Sequence, residues 1–335
     1  MTRRLNYFLL ALLLLIGAPA YWLLKDTSPY WVPAKQMDIV QLRRLAEAIP
    51  GQKPSRIEME LVAWRRVPGD LFAAGSGLKR RAIGVMAFRL EVPGKGPVML
   101  ETGTTQTLAD QLGMDRFDAA AQHSVDSMLR QSSMILVTDE HGDHLGGLAA
   151  LGATEGGLGV LSRVKLNPAQ LPSSPTSAKL PWPSGVLLHA ELSDTRPQAV
   201  APGIVVIPTP SHSPGSQMIF VRLDDGQEFL FAGDIASMTV NWRELRPRSR
   251  FLSDFYAPED RRAVISWLHV IAALKNSEPA IRILPSHDYD WYNDPVSRSG
   301  VTRLPGNTQD GPAPIAPVSG VPVPNRQVTD KPAGT

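Results

Sequence analysis

The 335-residue sequence contains no cysteine. That excludes disulfides, thiolate metal sites, a cysteine nucleophile and a lipid-modified cysteine. It also lacks any strong charge imbalance: 34 Lys and Arg against 32 Asp and Glu give a net charge of +2. Nothing in that balance calls for nucleic acid or an acidic partner. No internal repeat is evident. Histidine is scarce, at seven residues, so where the histidines fall carries information. A metal site in this chain must be built from nitrogen and oxygen ligands. The length allows one large or two ordinary domains.

The one long apolar run spans residues 5–24, with Asn6 its single polar residue, Arg3 and Arg4 before it and Lys25 and Asp26 after it. A bilayer is crossed by about 20 such residues, and the arginines keep the N-terminus cytoplasmic with the rest of the chain outside. A second reading is a cleaved signal peptide, with residues 7–16 as its apolar core and Ala18-Pro19-Ala20 as the cleavage site. Continued hydrophobicity through Tyr21-Trp22-Leu23-Leu24 favours a retained inner-membrane anchor. Either way the bulk of the chain is expected in the periplasm, anchored or released. The domain reading is residues 1–26 as this segment, 27–55 as a linker with a helix on 37–49, 56–300 as a catalytic domain, and 301–335 as a Pro-rich disordered tail.

Within the central region, apolar alternation predicts strands at 56–67, 82–92, 96–100, 135–138, 186–189, 203–207, 217–223, 228–232 and 281–284. Helical spacing marks 108–112, 115–130 and 258–274. This alternation implies mixed α/β architecture.

Immediately after the strand at 135–138 come Asp139, His141, Asp143 and His144, and Gly146-Gly147 ends the loop. A solvated acidic loop explains Asp139, Glu140 and Asp143 but not two histidines at this spacing. Three further candidate ligands follow apolar strands in the same way: His212 in Pro210-Ser211-His212-Ser213-Pro214-Gly215-Ser216, Asp234 after Ala232-Gly233, and His287 after Pro285-Ser286. Groups at strand ends converge on a common rim, where sites in α/β folds are built. His123, His189 and His269 read as surface or packing residues. Arg243, Arg246, Arg248 and Arg250 read as a solvated loop, and Trp242, Tyr256, Tyr289 and Trp291 as packing aromatics with a cleft lining as the alternative.

These pieces, with Glu101-Thr102-Gly103 as an acidic-x-Gly turn, resemble the metallo-β-lactamase superfamily over residues 56–298. That family's pattern is His-x-His-x-Asp-His, then a His in a Ser/Thr-Pro-Gly-Ser turn, an Asp after Ala-Gly, and a final His. The resemblance implies an α/β fold, a four-layer αββα sandwich preceded here by the N-terminal membrane segment, with a metal cleft at one edge. It implies that Asp139, His141 and His212 hold one metal, that Asp143, His144 and His287 hold a second, and that Asp234 bridges them. Zinc is the expected ion. Asp139 stands where the family has His, and this harder, anionic ligand admits manganese or iron and leaves one ion as the alternative to two. The implied activity is metal-dependent hydrolysis by a metal-bound hydroxide, with Asp234 orienting the nucleophile and Asp143 assisting the leaving group. A small ester or lactone is the expected substrate. β-Lactam or phosphoester hydrolysis, and a non-catalytic binding protein with a degenerate metal site, are the alternatives. Serine catalysis through Ser211 or Ser213 beside His212 lacks the Gly-x-Ser-x-Gly elbow.

Overall fold

The computed structural model describes residues 3–32 and 35–304; the stretch 305–335, read as tail, lies outside them. Strands β1 (Arg56–Pro68), β2 (Arg80–Glu91), β3 (Val98–Leu100), β4 (Arg116–Phe117) and β5 (Met134–Leu136) are followed by β6 (Gln198–Ala201), β7 (Ile204–Pro208), β8 (Gln217–Arg222), β9 (Glu228–Phe231), β10 (Arg282–Leu284) and β11 (Val301–Arg303). The first sheet runs β11-β1-β2-β3-β5, with β4 added on β1, and the second runs β10-β9-β8-β7-β6. The β1–β2 ladder is antiparallel, whereas β3 pairs β5 in parallel and β9 pairs β10 in parallel.

The period of two along each strand divides the apolar residues between two cores. In β8, Ile219 and Val221 turn inward to meet Phe229 and Phe231 of β9 and Met86, Phe88 and Leu90 of β2. Phe88 meets Phe231 edge to face, with centroids 5.1 Å apart. Met218 and Phe220 turn the other way, onto Leu42 of the helix Ile39–Ala46 and Val264, Leu268 and Ile271 of the helix Arg261–Ser277. The far side of the first sheet is covered likewise: Val62, Ala87, Met99 and Ile135 pack on Val125 and Leu129 of the helix Ala119–Gln131 and on Leu148 of Gly146–Gly152. Helices therefore flank both sheets, giving the four-layer αββα sandwich implied by the resemblance.

Beyond shifts of a few residues at element ends, three stretches differ in kind from the sequence reading. Residues 186–189 form no strand. Leu187 is 85% exposed, so its apolar side chain marks no core, and the sheet edge is made by half-buried β6 instead. Residues 301–303, assigned to the tail, form β11 and pair in parallel with Ile57, Glu58 and Met59. A three-residue edge strand carries no period of its own; the open edge of β1 selects it. Residues 115–118 are also not helical: β4 occupies Arg116–Phe117, and the helix starts at Ala119, where Asp118 accepts hydrogen bonds from the Ala120 and Ala121 amides.

One continuous helix, Arg3–Leu24, is long and apolar enough to cross a membrane by length and composition, and none of its most apolar window is buried. The chain leaving it is tied to the sandwich. Arg261 Nη2 donates to the Asp26 carbonyl (2.6 Å), Arg250 pairs with the Asp26 carboxylate, and Lys25 pairs with Asp70 at 3.2 Å. The Phe220 side chain is fully buried. Phe220→Ala is expected to lower stability by about 3–5 kcal/mol in urea denaturation, and a loss below about 1 kcal/mol would contradict the packing described.

Candidate metal centre

The loop after β5 is shaped from below by Glu101, which follows β3. Glu101 adopts the left-handed conformation (φ 64°), an uncommon state for a residue with a side chain. Its carboxylate accepts hydrogen bonds from the Thr138 amide (3.1 Å) and hydroxyl, and its second oxygen lies 3.1 Å from His144 Nδ1. The Thr102 amide donates to the His144 carbonyl at 3.0 Å. Gly147 is required where the two segments meet, because a Cβ there would stand 2.0 Å from the Thr102 carbonyl oxygen. The acidic-x-Gly turn thus orients the first ligand loop.

Two of the other three cluster histidines are aimed in the same manner. His212 Nδ1 lies 2.8 Å from Glu259 Oε2, just ahead of the helix Arg261–Ser277. His287 Nδ1 lies 2.8 Å from the Gly84 carbonyl of β2. These acceptors assign the proton to Nδ1 and leave Nε2 of each ring facing the cluster. Glu140 points away from the cluster: it accepts from Ser213 Oγ at 2.7 Å and from the Gly215 amide at 3.3 Å, pinning the His212 turn. Ser211 Oγ donates to the Thr209 carbonyl. Neither serine hydroxyl engages His212, so the arrangement needed for serine catalysis is not formed.

All seven residues singled out in the sequence arrive at one place. Ligand atoms of Asp139, His141 and His212 lie within 4.8 Å of one another, as do those of Asp143, His144 and His287 and those of Asp139, His144 and Asp234. Asp234 is central: Oδ1 is 2.9 Å from His287 Nε2 and 3.8 Å from His144 Nε2, while Oδ2 is 3.3 Å from His212 Nε2. Asp143 Oδ2 stands 3.6 Å from His287 Nε2. Asp139 Oδ2 and His144 Nε2 are buried without a hydrogen-bond partner and lie 3.7 Å apart. Orphaned buried acceptors are costly. A divalent cation among these nitrogen and oxygen donors satisfies them, so the residues present fit such an ion.

Above the cluster is a cavity of about 150 Å³. Its floor includes His141, Asp143, His212, Asp234 and His287, and its walls include Phe72, Leu112, Met114, Leu252 and Tyr256. Of the four aromatics weighed in the sequence, only Tyr256 reaches it. Trp242 packs in the helix-covered core, and Tyr289 and Trp291 pack between the sheets. Three contributors were not found in the sequence: Glu259, hidden in an ordinary helix-start signature; the Gly84 carbonyl, which has no sequence signal; and Arg248. Arg248 is buried rather than solvated, and its guanidinium binds the Asp234 carboxylate.

Burial opposes ionisation of Asp234, but His287 and Arg248 beside it outweigh that and hold the carboxyl well below its ordinary value. Burial likewise works against a charged His141, yet Asp139, with Asp143 and Glu140, overrides it and raises the ring's pKa to about 9. His144 and His287 are raised for the same reason, mainly by Asp139 and by Asp234 respectively.

No family model matches the sequence, and no curated protein matches it. Solved structures do. A quorum-quenching N-acyl homoserine lactone lactonase is similar at a TM-score of 0.55 and 16% identity, over 73% of this chain and 96% of that one. An N-acyl homoserine lactone hydrolase with N-hexanoyl-L-homoserine bound at its catalytic metal centre gives 0.54 and 16%, over 72% and 96%. A B. thuringiensis AiiA variant with N-decanoyl-L-homoserine at its active site gives 0.53 and 16%, over 72% and 96%. The chain therefore has the metallo-β-lactamase fold.

Two outcomes are expected. Because the folded values of His141, His144 and His287 exceed their ordinary value of 6.5, their charge stabilises cation-free protein below about pH 6.5, and the contribution of His141 is lost as pH rises through about 9. Melting temperature should fall across this window, and zinc added near neutral pH should release protons to an indicator dye. An absence of proton release would show that the rings are not ligands. Glu101→Gln, which removes the carboxylate charge 3.1 Å from His144 Nδ1, should weaken metal affinity about 10–100-fold by calorimetry while leaving the fold intact.

Proposed function

We propose that this chain is a metal-dependent hydrolase of small carboxylic esters or lactones, held at the inner membrane with its cleft on the periplasmic side. The observation that carries the reading is the pair of unpartnered buried atoms, Asp139 Oδ2 and His144 Nε2, set among seven ligand-type side chains beneath a largely apolar cavity. Zinc is the ion the donor set favours, with manganese or iron as alternatives. Bound there, a divalent ion acidifies water towards neutral pH and polarises a carbonyl oxygen.

The chain's own residues do the rest. Asp234, fixed by Ser286, His287 and Arg248, orients the attacking water. Asp143 is the more exposed acid of the cluster, with 15% of its side chain accessible against 6% for Asp234. It faces the cavity, takes the proton released by the attacking water and passes it to the departing oxygen. Phe72, Met114, Leu252 and Tyr256 exclude water from the reacting bond and accept an apolar acyl portion. That apolar wall supports an ester or lactone ahead of a phosphoester, and ligands derived from acyl homoserine lactones in two structures of the same fold point the same way. β-Lactam hydrolysis on the same residues is the nearest alternative.

The apolar helix and its basic start support an anchor, and its docking supports an interfacial position for the cleft. Trp22 lies 6.3 Å from Phe255, and Arg250 lies over the Trp22 ring at 5.1 Å. Both partners flank Leu252 of the cavity wall. On this reading residues 27–55 connect anchor to sandwich, and the partners are a small-molecule substrate and the bilayer, with no nucleic acid.

The test is a panel of lactones and esters on zinc-loaded full-length protein in detergent. His144→Ala should lose about 100-fold or more in kcat/KM with an unchanged circular-dichroism spectrum, since ligand loss exceeds the effect of losing a supporting group. Unchanged turnover would overturn the proposal.

A further inference from the structure

The two sides of the cluster differ. On one side Asp139 Oδ2 and His144 Nε2 have no partner, and they adjoin Asp234 Oδ1 and, through it, His287 Nε2. On the other side Asp139 Oδ1, both His212 nitrogens and Asp234 Oδ2 are engaged, the last by a guanidinium where Oδ1 has Ser286. Asp139 Oδ1 accepts from the His141 amide at 2.9 Å and lies 3.2 Å from His141 Nδ1. His212 has Glu259 on Nδ1 and Nη1 of Arg248 at 3.4 Å on Nε2. Asp234 Oδ2 receives Nη2 of the same guanidinium.

Arg248 is not a passing surface side chain. It is 7% exposed and stacks over the Phe72 ring at 5.4 Å. It also donates to Ser237 Oγ from Nε (3.2 Å) and Nη2 (2.7 Å). Its carbonyl accepts from the Arg261 guanidinium, so backbone and side chain are both fixed. A guanidinium stays charged at any physiological pH. A dication ligated by His212 Nε2 would meet that charge at close range in a buried site, where like charges repel strongly.

We propose that Arg248 is a built-in cation standing in for the first metal ion, so that the chain binds a single divalent ion between Asp143, His144, Asp234 and His287. The inference rests on the metal-dependent reading above and deepens it. Asp139 then has a reason to be anionic where the family pattern has a neutral histidine: it supplies counter-charge in a pocket whose cation is permanent, and its free Oδ2 turns to the remaining ion. Arg248 acts as a positioning residue, holding Asp234 Oδ2 so that Oδ1 faces the metal.

The measurement is zinc per chain, by elemental and native mass spectrometry, on full-length protein in detergent after dialysis against excess zinc. We expect one equivalent in the wild-type protein and two in Arg248→Met. Asp139→His should keep one equivalent, because the guanidinium remains. His212→Ala should also keep one, whereas His287→Ala should lose it. Two equivalents in the wild type or in Asp139→His, one in folded Arg248→Met, or loss of the ion in His212→Ala would each overturn the inference while leaving a metal site in place. No zinc in any of them would overturn the metal reading beneath it. If Arg248→Met does not fold, the wild-type, Asp139→His and histidine-variant counts decide the matter.

Discussion

Three carboxylates and four imidazoles share one buried cluster, and the repulsion among Asp139, Asp143 and Asp234 is the constraint on which the rest of the site depends. Carboxylates at such separations in a low-dielectric interior do not stay ionised without cations close by. The chain meets that demand with raised histidines, with Arg248 against Asp234, and with two atoms left open for a metal. The same demand explains the hydrogen bonds and the ion pair behind the ligands. Glu101, Glu259 and the Gly84 carbonyl each fix a ring that would otherwise rotate away from the charge it must offset.

Those supports are drawn from both sheets, which is why the sandwich matters to the chemistry. Glu101 and the Asp139 to His144 loop leave adjacent parallel strands, β3 and β5, of the first sheet. His212, Asp234 and His287 follow β7, β9 and β10 of the second. The bond between His287 Nδ1 and Gly84 of β2, and that between Ser213 and Glu140, cross between the two sets. Apolar packing such as Phe88 on Phe231 sets the spacing of the sheets, and the ligand loops inherit their positions from it. Rigid strands with short loops suit a site that must hold charges in place without solvent to relax them.

The connection to the N-terminal helix links this site to a segment long and apolar enough to cross a membrane. Arg250 and Arg261 bind the chain just after the helix, while the segment between them, Phe251–Tyr256, supplies Leu252 and Tyr256 to the cavity wall. The Phe255 and Tyr256 rings there are exposed, at 63% and 58%. Apolar helix, cavity wall and ligand-type cluster are therefore joined by a few side chains, not by a long tether.

Much of this was legible in the chain before any coordinates. Strand ends followed by His or Asp gave the seven clustered residues, because ligand loops follow strands whose apolar period is strong and local. Buried strands and the capped helix Arg261–Ser277 were legible for the same reason. Edge strands β6 and β11 were not: each is short, half-buried or exposed, and defined by its neighbour rather than by its own pattern. Arg248 and Glu259 were not either, since an arginine in an arginine-rich loop and a glutamate at a helix start look alike whether solvated or buried. By itself the sequence determined the chemistry of the candidate ligands, confined to nitrogen and oxygen by the absence of cysteine, and the order of the strands that carry them. Only the tertiary structure decided which charges face each other across the cleft, because electrostatic pairing depends on distance and burial, and neither is a local property of the chain.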